Sequence, residues 1–194
     1  MNKKLHLLCY LSIALVISVV TLSGKTCGTV LKKMSAKELT DHANAIVVGK
    51  VKTMRSQWGN DGTKIYTYIT IGVEKCVKGS LHSSEITIKQ LGGEVGGVGL
   101  KVVGAPEYKE GEDVLTFLEG NESNHFQCVG MAQGKYTIKT DAATKRKILV
   151  REIDRFEEKR LDLMVPEEDV KEKLFLDDFV NQIKTFVDEE KSAR

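Results

Sequence analysis

The chain has 194 residues, 41% of them hydrophobic and 29% charged, with 17 Gly, 2 Pro and 4 Cys. This length fits one domain of ordinary size, alone or with an appendage. The composition excludes a collagen, a Pro-rich linker and a low-complexity disordered chain. With one apolar run long enough to matter, a multi-pass membrane protein is excluded too.

That run is at the amino terminus. Lys3 and Lys4 precede apolar residues from Leu7 to Leu22, and Thr21 and Ser23 are small. A basic start, a short apolar middle and small residues at −3 and −1 describe a secretory signal peptide cleaved after Ser23. The alternative is an uncleaved anchor, although the run is shorter than the roughly 20 residues of a spanning helix. The expected locations are therefore the periplasm or the cell exterior, with no stable membrane span after cleavage.

Lys3 and Lys4 leave with the signal, so the mature chain carries 27 basic and 27 acidic side chains. A neutral balance gives no reason to expect nucleic acid as a partner. Residues 151–194 hold 9 basic and 14 acidic side chains, which suggests an acidic tail on a basic body. Three cysteines remain: Cys27, Cys76 and Cys128. In an oxidising compartment one disulfide among them leaves one thiol over, and the pairing is open. None is spaced C-x-x-C, so zinc ribbons, thioredoxin-like centres and haem attachment lack support. Cys76 and Cys128 lie within expected strands, where the simplest reading is a buried thiol acting as a small apolar residue.

In chain order, Ser35 and Glu38 form a capping box, with Met34 and Leu39 as a hydrophobic staple. A helix is predicted from there to about Asn44. Ala45–Met54 is β-branched and reads as a strand, and Gly59-Asn60-Asp61-Gly62 supplies a reversal. Next, Ile65, Thr67, Ile69, Ile71 and Val73 alternate with Tyr66, Tyr68 and Thr70, the period of a half-buried strand. Further strands are expected at Glu85–Leu91, Asp113–Leu118 and Phe126–Met131, then a hairpin of Tyr136–Lys139 and Lys147–Arg151 around Asp141. Ile46, Val48, Ile69, Ile71, Ile88, Val114, Leu115 and Phe117 are expected in one core. Residues 152–173 read as a charged connector. Leu176, Phe179, Val180, Ile183, Phe186 and Val187 make an apolar helical stripe, expected to pack on the strands.

Catalytic motifs are missing. Gly92, Gly93, Gly96, Gly97, Gly99 and Gly104 form a glycine-rich stretch with neither the Lys-Ser/Thr of a P-loop nor a following helix. It reads either as a presented surface or as a chain folded back on the sheet edge. His42, His82 and His125 show no metal-ligand spacing, and no G-x-S-x-G elbow occurs. His125 and Cys128, three apart in a strand, would face opposite ways. The carboxylate pairs Glu157-Glu158 and Glu167-Glu168 read as solvated surface. Asn121-Glu122-Ser123 is a glycosylation sequon. No catalytic residue, metal ligand or cofactor is assigned.

The succession ANAIVVGKV, YTYITIGVEKCVKGS, ITIKQLGGEVGG, GAPEYKEGEDVLTFLEG and VGMAQGKYTI resembles a widespread family of uncharacterised exported prokaryotic proteins over about residues 36–151. The final LDDFVNQIKTFV is also similar. More distantly, the order of strands resembles the netrin-like domain of tissue inhibitors of metalloproteinases. That resemblance implies a mainly β fold, an OB-like Greek-key barrel with one amino-terminal and one carboxy-terminal flanking helix. It would set the inhibitors' zinc-chelating cysteine near Cys27 and their protease-contacting connector on Gly92–Gly104. The chain departs from the pattern: the inhibitors' C-x-C start is reduced to Cys27-Gly28-Thr29, and no connector cysteine ties Cys27 down.

The expected organisation is a signal peptide at 1–23, an OB-like domain at 24–151, and a connector with an amphipathic helix at 152–194. The expected function is an exported, non-catalytic binding module, with Cys27, Glu94, Val95 and Lys101 as candidate binding residues. Its partner would be another exported or envelope protein, a protease among the options. The alternatives are a metalloprotease-inhibitor-like or protease-associated domain, and a hydrolase.

Overall fold

Ser35 opens the first helix by accepting a hydrogen bond from the Glu38 backbone N–H, while the Glu38 carboxylate accepts from the Ser35 N–H. These reciprocal bonds satisfy two of the donors that a helix start leaves unpaired. Helix α1 is Ala36–His42, two residues shorter than its predicted end at Asn44. The structure is a computed structural model and describes residues 33–122, 125–151 and 173–192. The expected signal peptide, Cys27 and nearly all of the charged connector lie outside the described residues.

The described part is mainly β. Its strands are β1 (Ala45–Trp58), β2 (Ile65–Lys78), β3 (Glu85–Leu91), β4 (Gly93–Val95), β5 (Val98–Leu100), β6 (Asp113–Asn121), β7 (His125–Cys128), β8 (Lys135–Thr140) and β9 (Lys147–Val150). Helix α2 is Leu176–Ser192. β1 runs antiparallel to β2, and β2 antiparallel to β3. A single parallel pair, Ile88↔Phe126, links β3 to β7, which is antiparallel to β6. β6 in turn pairs with β1, from Ala45↔Leu118 to Lys50↔Asp113, and with β8, which carries β9. β4 and β5 form a separate two-stranded hairpin.

The predicted core residues are all buried, but they do not share one core. Ile69, Ile71, Ile88 and Val114 pack with Val47, Val51, Leu118 and Phe126 on the inner face. Ile46, Val48, Leu115 and Phe117 pack on the other face, against Leu39 of α1 and Phe179 and Ile183 of α2. Successive side chains of a strand point to opposite faces. The unbroken buried runs Ala45–Val48 and Val114–Leu118 therefore need cover on both sides. The helices supply it on one side. Five of the six residues of the predicted α2 stripe are buried there, with Phe186 partly exposed.

β1 outruns its predicted end at Met54 by four residues, β2 ends at Lys78 before Gly79 as expected, and the two make a long hairpin with three shifts of register. Cys76 lies in the last part of β2, where the alternation that buries Ile69 and Ile71 has lapsed. It is an exposed free thiol, which corrects its expected burial. Cys128 is partly buried, and burial pushes its thiol up to about 11.

Candidate functional site

The glycine-rich stretch is not an edge of the main sheet. After β3, the Gly92 N–H donates to the Ile65 carbonyl, and the chain turns across the end of β1 and β2 as the β4–β5 hairpin. Gly93, at φ 131°, backs onto the Ser56 and Thr67 hydroxyls, which are 2.9 Å apart. A Cβ at Gly93 would lie 2.4 Å from both oxygens, so only glycine allows this approach. Gly96 and Gly97 have φ 60° and 80°, the two positive values that a tight two-residue hairpin needs.

The hairpin is one wall of a cleft of about 870 Å³. Thr67 and Gln90 line its inner end, and residues 101–109 form the opposite wall. That wall is pinned from behind by Lys135, whose side chain is 1% exposed. Lys135 Nζ donates to the Glu107 carbonyl (2.7 Å) and the Thr137 hydroxyl (2.9 Å), and pairs with Glu112 (3.0 Å). Tyr108, buried beside it, reaches the Thr116 hydroxyl at 3.4 Å. Burial holds the Tyr108 phenol well above its ordinary range, so it stays neutral. With Cys128 also kept protonated, this cluster is an anchor for the wall and offers no activated nucleophile.

Glu94 and Lys101 both line the cleft, on and just after the hairpin, and both are exposed. Val95 lies at the start of the turn, paired with Val98, outside the cleft lining. Cys27, the fourth candidate, falls outside the described residues. The chain matches no protein-family model, and neither curated proteins nor solved structures give a significant match.

Sequence reasoning missed most of the site's outer surface. The large apolar side chains that stand exposed are Trp58, Leu91, Val98, Leu100 and Val103. All five belong to the strand ends, the hairpin and the loop around this cleft. Trp58 pairs with Ile65 beside the turn, and Leu91 pairs with Tyr66 just before Gly92. The available signal was the apolar residues scattered among the glycines, Val98, Leu100 and Val103, where a plain connector would be polar. Tyr108 and Lys135 carried no such signal, because their contacts form only in the folded chain.

Elsewhere, His125 takes φ 63° and sets its ring edge-on to Tyr68, 5.3 Å between centroids, while Cys128 faces the Thr116 hydroxyl. The two have separate surroundings. His82 and Glu122 make an exposed pair at 3.3 Å. Among the described residues, no three His, Cys, Asp or Glu side chains are grouped to hold a metal, and no helix is long and apolar enough to cross a membrane.

Proposed function

We propose that the protein is an exported, non-catalytic binding module with an OB-type Greek-key barrel, whose binding face is the glycine-rich connector. The barrel reading is supported by the circuit of pairings β1–β2–β3–β7–β6–β1, with one parallel pair between β3 and β7. Export is supported by the basic start and apolar run of residues 3–22.

One observation carries the choice of face. Residues 92–112 join β3 to β6 by building a hairpin of their own and walling a cleft, when a short turn would serve as a connection. The cleft's volume falls within the roughly 300–1,000 Å³ typical of ligand sites. Apolar side chains left in water at such a place mark a contact surface.

The test is capture of partners from an envelope fraction by the mature protein and by the double variant Glu94→Ala, Val95→Ala. Capture should fall severalfold while Tm stays within a few degrees, since Glu94 is exposed and Val95 only partly buried. Unchanged capture, or a loss that only tracks unfolding, would contradict the assignment of the face.

A further inference from the structure

The β4–β5 hairpin has a free edge. β4 is held against the end of β1 at Gly93, whereas β5 (Val98–Leu100) has β4 as its single strand partner among the described residues. Every residue from Gly96 to Lys101 is exposed, so this edge opens to solvent. The two-residue turn Gly96-Gly97 makes Val95 and Val98 the hydrogen-bonded closing pair. Along an antiparallel strand, the main-chain groups of successive residues point to alternate sides. Gly99 therefore turns both its N–H and its C=O away from β4, beside the cleft that it lines. No atom lies within 4 Å of the place that a Cβ at Gly99 would take.

The two faces of the hairpin differ. Residues paired across two strands share a face, so Val95, Val98 and Leu100 stand on one side with Gly93. Val98 is 51% exposed and Leu100 37%, and neither belongs to a packed core cluster. The opposite side carries Glu94 and, by alternation, Lys101, while Gly97 and Gly99 add no side chain there. An edge with unpaired main chain and exposed branched apolar side chains is a template for another strand. β5 has no proline and no charged side chain to deter one.

The strand that fits this edge over its whole length is a second β5. Set antiparallel about a two-fold axis at Gly99, two copies pair Gly99 with Gly99, and Val98 with Leu100 in both directions. The two glycines exchange both of their outward main-chain hydrogen bonds. Leu100 of each copy lies against Val98 of the other, which joins Val95, Val98 and Leu100 into apolar rows across four strands. On the reverse face the charges alternate in sign around the axis, Glu94 and Lys101 of one copy with Lys101 and Glu94 of the other. The bare glycines between them leave these side chains room to pair. We infer that the protein forms a two-fold dimer in which the β5 edges of two copies join their hairpins into one four-stranded sheet. The inference rests on the connector being the binding face and names a second copy of this chain as its partner.

Sedimentation equilibrium of the mature chain, over a range of micromolar concentrations, should show a reversible monomer–dimer equilibrium. Gly99→Pro removes the outward N–H from both copies and should weaken dimerisation about tenfold. The hairpin keeps its pairing, because that N–H points away from β4. Val98→Lys should weaken the dimer likewise, and at its exposure Val98 contributes little to the fold. Lys184→Asp on the exposed face of α2 should leave the equilibrium unchanged. Register is tested in a chain carrying Cys27→Ser and Cys76→Ser. Mixed there, Val98→Cys and Leu100→Cys proteins should oxidise to a covalent dimer, since facing residues of such a pair lie about 4.5 Å apart at Cα. Neither protein alone should do so, because like positions are diagonal and beyond disulfide reach.

A chain that stays monomeric throughout overturns the inference, as does a dimer that Gly99→Pro and Val98→Lys both leave intact. Cross-linking as fast in either cysteine variant alone as in the mixture overturns the two-fold pairing at Gly99. If the chain stays monomeric while the connector double variant loses capture from the envelope fraction, the second copy falls and the binding face stands. If the chain is monomeric and capture is unchanged, both readings fall.

Discussion

Asp141 shows how much single residues do in joining the carboxy-terminal helix to the sheet. Its carboxylate accepts from Lys173 Nζ (2.7 Å) and from the Thr144 hydroxyl and N–H (2.7 and 2.9 Å). The Lys173 bond, then the Thr144 bonds, hold it down to about 2 from an ordinary 3.8. A group depressed on folding stabilises the native state above its unfolded pKa and loses that contribution as pH falls through the folded one. Tm should therefore drop between pH 4 and pH 2, and the drop should be shallower in Asp141→Asn. Equal slopes for both proteins in a series of thermal melts would show that Asp141 is not a source of acid sensitivity. The same loop holds the helix by a second contact, Arg146 to Asp178 at 3.0 Å with its guanidinium 3.7 Å over the Phe175 ring. At the opposite end Lys135 plays the matching part for the cleft wall, and there the anchor is fully buried.

Among the elements, β1 and β6 organise the molecule because their paired segments Ala45–Val48 and Val114–Leu118 are buried on both faces. The inner cluster around Ile69 and the outer one around Ile183 are separated by the sheet itself. Each of Ile69→Val and Ile183→Val should cost about 0.5–1.5 kcal/mol. In urea denaturation the double variant should equal the sum to within about 0.5 kcal/mol, as for sites sharing no contacts. A larger coupling would mean that the two clusters act as one core. Much of this layer was legible in the sequence. Ser35 and Glu38 signal the start of α1 because capping is local, and Ile65–Ile71 alternate because one side of β2 faces the core. The apolar run Ala45–Val48, and Val114–Leu118 with only Thr116 polar, also carried the sign of two-sided burial, yet periodicity cannot say what covers the second face. Cys76 misled for the converse reason. A strand can continue by hydrogen bonding past the place where its neighbours keep it dry.

At the scale of the whole molecule, helices close one side of the sheet, while the connector and the exposed apolar tips gather at one end of its strands. The glycines announced an unusual connector, and Glu94 and Lys101 were found within it. The cleft was not legible, because it depends on Tyr108 and Lys135 meeting across the fold and on Gly93 settling against Ser56 and Thr67. The central claim is the proposal that the protein is exported and makes its contacts through that end. The most direct measurement is photo-crosslinking in cells from a benzoylphenylalanine placed at Val103 and, in a parallel strain, at Lys184 on the exposed face of α2. The account predicts adducts from position 103 on a protein that has lost its first 23 residues, and few or none from position 184. Adducts from position 184 alone, or adducts only on the uncleaved cytosolic chain, would contradict it.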